Sequence, residues 1–365
     1  MNFCYSVIRI LLASFLLAGT VLYAAPQPVR KAVPPKAARA GAPKKSTPPQ
    51  KPAKAPKRPA IPELTYGKRK YLDLRKVARH FGFKAAEKTV GKDRIITLTT
   101  SRGETIVFTA AKQLFTVSGT TASLSYPVLW KNGLYLLEKT DFTEFLEPLL
   151  NTTLIPRRTI KTIVIDAGHG GTDQGAAHGK LLEKNLNLLM ARRVAAVLKA
   201  RGYQVSMTRT ADKTTSLQER CDFAAKQKPD LFLSIHCNSA EDTTINGVEV
   251  FIANPPGVPS FGTTNIGKTG AATPFQRTSA LWAYHTQRAL VSATKAVDRG
   301  VKRKQFKVII DTPAPAMLVE LGFLSNDKER AEMLKPAYQD KLAVALCDGI
   351  DKLAKTIQPK NTTKK

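Results

Sequence analysis

The sequence predicts an α/β fold in its C-terminal half, built on buried parallel strands, with a small α+β module in front of it. Two apolar runs carry this prediction: Thr162-Ile163-Val164-Ile165, which leads through Asp166-Ala167-Gly168 to His169, and Leu231-Phe232-Leu233-Ser234-Ile235, which ends at His236. Continuous β-branched and apolar stretches running into a glycine-rich turn read as strands buried on both faces, and open α/β sheets place their sites at the carboxyl ends of such strands. Between the two runs, apolar positions 186, 189, 190, 194, 195 and 198 mark an amphipathic helix from Glu183 to about Ala200.

At 365 residues, 43% of them apolar, the chain has material for about two folded units at roughly 150 residues per domain. The 57 Lys and Arg against 28 Asp and Glu give a net charge of +29, which argues for an anionic partner and against a generic cytosolic enzyme. The first 62 residues hold 11 basic residues and no acid. Residues 1–25 read as an export signal, with Arg9 ahead of an uncharged apolar run that ends in Tyr23-Ala24-Ala25. Export places the protein in the periplasm or cell envelope and makes nucleic acid an unsuitable partner. Residues 26–62 contain 11 prolines and almost nothing large and apolar, so they form a basic, unfolded linker of polyproline character. Such a linker is either a solvated spacer or a cationic tether for an anionic surface.

Residues 63–155 read as the α+β module. Apolar positions 74, 77, 78 and 81 form a helical stripe closed by Gly82, and residues 95–99 and 105–109 alternate about Ser101-Arg102-Gly103 as a hairpin. A second strand region follows at 114–124, then a strand at 133–137 and a short helix at 141–150. This order resembles the small domain named after the N-terminal region of copper amine oxidases, the likeness resting on residues 71–82 and 126–137. His80 is a lone histidine with no second ligand near it, so no metal is assigned there. The module is expected to be a spacer or docking unit.

The chemistry concentrates in residues 160–357, ahead of a basic tail at 358–365. Two strand-end histidines, His169 and His236, and a glutamate at a helix start, Glu183, make up a His, Glu, His set. Two imidazoles and a carboxylate that leave one tetrahedral position to water have the composition of a hydrolytic Zn2+ site rather than a closed structural one. A fourth apolar run, Ala316-Met317-Leu318-Val319-Glu320-Leu321, embeds Glu320 where a carboxylate is costly without a partner, which suits a general acid/base.

Five segments together resemble the zinc N-acetylmuramoyl-L-alanine amidases, in particular the AmiA, AmiB and AmiC type that acts in cell separation. They are Asp166-Ala167-Gly168-His169-Gly170-Gly171, Glu183-Lys184-Asn185, Thr208-Arg209 through Leu217 to Arg220, Ser234-Ile235-His236-Cys237-Asn238-Ser239 and Val319-Glu320-Leu321-Gly322-Phe323-Leu324-Ser325-Asn326. The resemblance implies a twisted, mostly parallel sheet flanked by helices, Zn2+ bound by His169, Glu183 and His236, and Glu320 as catalytic acid/base. It further implies a peptidoglycan substrate, polymer or precursor fragment, cut between the lactyl group of N-acetylmuramic acid and L-alanine, and the prospect of a protein activator. Other readings are a zinc peptidase or carboxypeptidase acting on the stem peptide, and a non-catalytic wall-binding protein.

Around this set, Asp166 is either an acceptor for a ligand imidazole or a turn residue, Arg209 and Arg220 are ion-pair residues, and Cys237 packs away from the site by strand alternation. His178 and His285 are surface or packing histidines. Cys221, Cys237 and Cys347 allow at most one disulfide. The stretch from Ile252 to Ser279 has little helical periodicity and is expected to be a groove wall, a short lid or a plain surface loop.

Overall fold

The computed structural model describes residues 60–264 and 275–359, which belong to one compact unit. The export signal, all but the end of the basic linker, part of the expected 252–279 loop and most of the basic tail lie outside the described residues.

The N-terminal region opens with β1 (Glu63–Tyr66) and β2 (Arg69–Asp73), followed by α1 (Leu74–Phe81). Asp73 caps α1 by accepting from the Arg75 N–H, and Gly82, at φ +71°, ends it with its N–H on the Ala78 and Arg79 carbonyls. Next come β3 (Lys84–Val90), β4 (Asp93–Thr99), β5 (Thr105–Thr109), β6 (Leu114–Val117) and β7 (Thr120–Ser123), an antiparallel meander. Strands β8 (Leu129–Lys131) and β9 (Leu134–Glu138) join β1 and β2 in a separate four-stranded sheet of order β1-β2-β9-β8. The helix expected at 141–150 is three short pieces: α2 (Lys139–Asp141), a π-helical turn (Phe142–Leu146) and α3 (Glu147–Leu150).

The C-terminal region runs β10 (Thr162–Ala167), a small hairpin of β11 (Ala177–His178) and β12 (Leu181–Leu182), then α4 (Glu183–Ala200), β13 (Gln204–Met207), α5 (Leu217–Gln227) and β14 (Leu231–Asn238). It continues with β15 (Val248–Ile252), α6 (Gln276–Thr294), β16 (Asp298–Arg303), α7 (Lys307–Ile310), β17 (Ala316–Phe323), α8 (Asp327–Met333) and α9 (Pro336–Ile357). Strands β13, β10, β14 and β17 are mutually parallel, and β15 lies antiparallel to β17. The sheet then goes on through β16 and β7 into the meander, giving eleven strands in the order β13-β10-β14-β17-β15-β16-β7-β6-β5-β4-β3. The two regions therefore share one sheet.

Strand alternation sorts the core into two layers. Ile163, Ile165, Leu233, Ile235, Val250, Met317 and Val319 pack toward α4, α6 and α9. Val164, Phe232, Phe251, Ala316 and Leu318 pack on the other face against Ala224 of α5 and Val308 and Ile309 of α7.

The seam between the regions is a buried ion pair. Arg303, at the end of β16, bonds Asp141 and donates to Ser125 Oγ at 2.9 Å, while Asp141 accepts from the Ser125 and Tyr126 N–H groups. Both side chains of the pair are at most 2% exposed. Asp298 adds a bond from the Thr121 N–H at 2.7 Å. Among the described residues no helix is long and apolar enough to cross a membrane, and Cys221, Cys237 and Cys347 are buried free thiols.

Candidate metal centre and its cleft

Three of the expected site residues sit at or near an end of their elements, and Glu320 sits within β17. His169 follows β10 in a left-handed conformation, φ +58°, which an L-residue adopts at a cost of about 1 kcal/mol or more. Two glycines make room. A Cβ on Gly168 would stand 2.2 Å from the His236 ring, and one on Gly175, itself at φ +63°, would stand 2.5 Å from Glu183 Oε2. Glu183 is the first residue of α4, where the free N–H groups of a helix start favour an anion. His236 lies near the end of β14, directly beside Glu320 in the parallel register of β14 and β17.

The structure brings all four together. One candidate ligand atom from each of His169, Glu183 and His236 lies within 4.8 Å of the other two. Glu183 Oε1 is 3.3 Å from His169 Nε2 and 3.1 Å from His236 Nδ1, and the two imidazoles meet edge to face at 4.9 Å. The carboxylate is fixed from behind: Oε2 accepts from the Ala176 N–H at 2.9 Å, and Oε1 from Asn187 Nδ2 at 3.0 Å and the Cys237 N–H at 3.2 Å. Burial alone would raise the Glu183 carboxyl, but the two imidazoles outweigh it and hold this group well below the ordinary carboxylate range.

Glu320 has the opposite character. Burial pushes its carboxyl well above the ordinary range, and the like charges of Glu183 and Glu249 push in the same direction. Its Oε2 is buried and has no hydrogen-bond partner among the described residues. Glu249, its cross-strand neighbour on β15, is by contrast bonded by Asn238 at 2.9 Å, by Arg299 at 3.2 Å and by Lys302.

Two supporting residues differ from expectation. Asp166 touches no imidazole and forms no turn; it is fully buried and accepts from Arg220 at 2.5 Å and from Thr208 and Ser234 at 2.7 Å each. Arg220 is the expected ion-pair residue, whereas Arg209 has carbonyl partners instead, donating to Ala167, Gly168 and Lys184 at 2.8 to 2.9 Å. The acceptor for His169 Nδ1 is Asp173, at 2.8 Å. Asp173 and Asn187 were not singled out from the sequence. Each lies four residues after a site residue, and for Asn187, one helical turn beyond Glu183, that spacing was a usable signal. Cys237 packs away from the site as alternation predicts, and His285 is held neutral by burial, its pKa brought down to about 4.

The centre opens into a cleft of about 460 Å3. Gly168, His169, Asp173, His236 and Glu320 line its polar side; Leu217, Phe306, Val308 and Leu318 supply apolar lining. An oriented cation site beside a carboxyl with a free oxygen, in a cleft sized for a small organic group, is arranged for hydrolysis.

Comparison with known proteins bears on the same region of the chain. Residues 163–352 match the protein family described as N-acetylmuramoyl-L-alanine amidase. Over 191 residues the chain is 36% identical to the uncharacterized protein YqiI of Bacillus subtilis, covering 52% of this chain and 84% of that one. Over 189 residues it is 36% identical to the Bacillus subtilis N-acetylmuramoyl-L-alanine amidase LytC, covering 52% of this chain but 34% of that protein. Among solved structures, the catalytic domain of the amidase CwlV from Bacillus (Paenibacillus) polymyxa var. colistinus is 32% identical, with a TM-score of 0.46, covering 54% of this chain and 99% of the other. The matched segment takes in both strand-end histidines, the helix-start glutamate and the buried glutamate of β17, and by that match the chain belongs to the N-acetylmuramoyl-L-alanine amidase family.

Proposed function

We propose that this protein is an exported zinc hydrolase that cuts the amide between the lactyl group of N-acetylmuramic acid and L-alanine in peptidoglycan, in the course of wall remodelling. The observation that carries the reading is the convergence of His169, Glu183 and His236 on one point beside Glu320. Bonds of about 2.0–2.1 Å from zinc to nitrogen or oxygen place tetrahedral ligand atoms about 3.3 Å apart. The two imidazole contacts to Glu183, 3.3 and 3.1 Å, fit that spacing. The donor set, two imidazoles and a carboxylate, fits the same ion with a corner left open.

When bound, zinc supplies a Lewis acid for the scissile carbonyl and a nucleophilic water at neutral pH. The chain's own residues do the rest. Asp173 fixes the orientation of the His169 ring through Nδ1, and Asn187 and the Cys237 N–H fix the Glu183 carboxylate. Glu320, which lines the cleft beside His236, takes the proton from the attacking water and delivers it to the departing amine of L-alanine.

The test is digestion of purified peptidoglycan by the full chain, with products read by mass spectrometry. Peptides with a free N-terminal L-alanine are expected, together with loss of activity on chelation and recovery with added Zn2+. Cleavage within the stem peptide, or activity indifferent to chelators, overturns the reading.

A further inference from the structure

We propose that Phe306 is the platform on which this protein seats the muramyl sugar ring, making it a specificity-determining residue for the reaction; this rests on the amidase reading above. Phe306 lines the same cleft as His169, His236 and Glu320, yet it takes no part in the polar centre. Its ring is 36% exposed, high for a large apolar side chain beside an otherwise packed core.

The ring is packed on one side in spite of that exposure. It meets Phe251 edge to face at 5.3 Å, and its carbonyl accepts from the Ile309 and Ile310 N–H groups as the chain enters α7. A rigid aromatic face loses little conformational freedom on binding, and its negative quadrupole suits the weakly positive C–H groups on the face of a pyranose. Leu217, 52% exposed at the start of α5, extends the same apolar lining.

Substrate chemistry favours the sugar over the peptide as occupant. The lactyl group joins the scissile carbonyl directly to the sugar, so a ring must lie within a few bonds of the reacting carbon. The stem beyond L-alanine is polar and carries carboxylates, which gain nothing from the apolar lining of Leu217, Phe306, Val308 and Leu318, and the two cations of the lining, Arg220 and Lys307, are already paired with Asp166 and Asp311. A cleft of about 460 Å3 accommodates one sugar and its amide, not a length of glycan.

The experiment compares two synthetic substrates on the metal-loaded full chain: an N-acetylmuramoyl peptide, and the same peptide carrying only the D-lactyl group. For Phe306→Ala, KM on the muramyl substrate is expected to rise about tenfold with kcat within about twofold, a loss of about 1.4 kcal/mol of binding shared by ground and transition states. On the lactyl peptide the variant should match wild type. Phe306→Leu, which keeps contact with Phe251 while losing the aromatic face, should show the same selective loss, and Phe306→Tyr should restore it. An equal loss on both substrates, or no loss on either, overturns the platform. Failure of the wild type to cleave either substrate overturns the amidase reading and the platform with it.

Discussion

Two buried charged clusters in this molecule are built to opposite rules. At the seam, Arg303 and Asp141 are a matched pair: one cation, one anion, each almost wholly buried, with Asp141 also accepting from the Ser125 and Tyr126 N–H groups and Arg303 Nη1 donating to Ser125 Oγ, while Arg303 Nε and Nη2 have no hydrogen-bond partner among the described residues. At the cleft, Glu183 and Glu320 stand within one site with two imidazoles and no lysine or arginine bonded to either carboxylate among the described residues. A matched pair balances its charge within itself and so serves structure. An anionic cluster with an unpartnered oxygen is not compensated from within, and so takes up a cation or a proton.

Glu320→Gln should produce the largest effect and the sharpest test of this contrast. It keeps the shape of the side chain and removes the proton acceptor, so hydrolysis is expected to fall by about 10²- to 10⁴-fold. Zinc content and melting temperature should stay near wild type, because the ligands and the seam are untouched. A variant that cleaves within about threefold of wild type would show that another group moves the proton.

Asp141→Ala is the counterpart. It leaves the Arg303 guanidinium buried and unpaired, and removing one partner of such a pair typically costs about 3–5 kcal/mol. Denaturant unfolding should show that loss, while the folded fraction binds zinc and cleaves substrate as wild type does. If activity per folded molecule collapses as well, the seam is coupled to the cleft and the division between the clusters fails.

The same contrast explains what the sequence revealed. The four expected site residues were legible because His169 and His236 come at the ends of apolar strands, Glu183 begins an amphipathic helix and Glu320 lies within an apolar strand, and a polar group in any of those settings stands out. Strand β16 was not legible: Asp-Arg-Gly-Val-Lys-Arg reads as a surface segment, and it lies inside the sheet only because Glu249 and Asp141 pair with its Lys302 and Arg303. Helix α6 was missed for a related reason. Buried on nearly every side, between the sheet and α9, it has no polar face to give a 3.6-residue rhythm. Strand β3 failed the other way, since all seven of its residues are exposed and period two leaves no trace. The join between the two regions through β16 and β7 is a tertiary fact, resting on a parallel pairing of Val301 with Ala122 between residues far apart in the chain.

Asp173→Asn is the mildest probe and divides the cleft cluster itself. The Asp173 carboxylate accepts from His169 Nδ1 at 2.8 Å, which leaves Nε2 facing Glu183, the orientation a metal-bound imidazole needs. Residues in this position commonly contribute 10- to 100-fold in metal affinity. Asp173 is 62% exposed, however, and solvent weakens a charge in that position, so the low end of the range is expected. Zinc titration against a competing chelator should show about a tenfold weaker site, with kcat near wild type once zinc is saturating. An unchanged affinity would mean that the left-handed turn at His169 and the close packing at Gly175 already fix the ring, so that backbone geometry rather than charge prepares the centre.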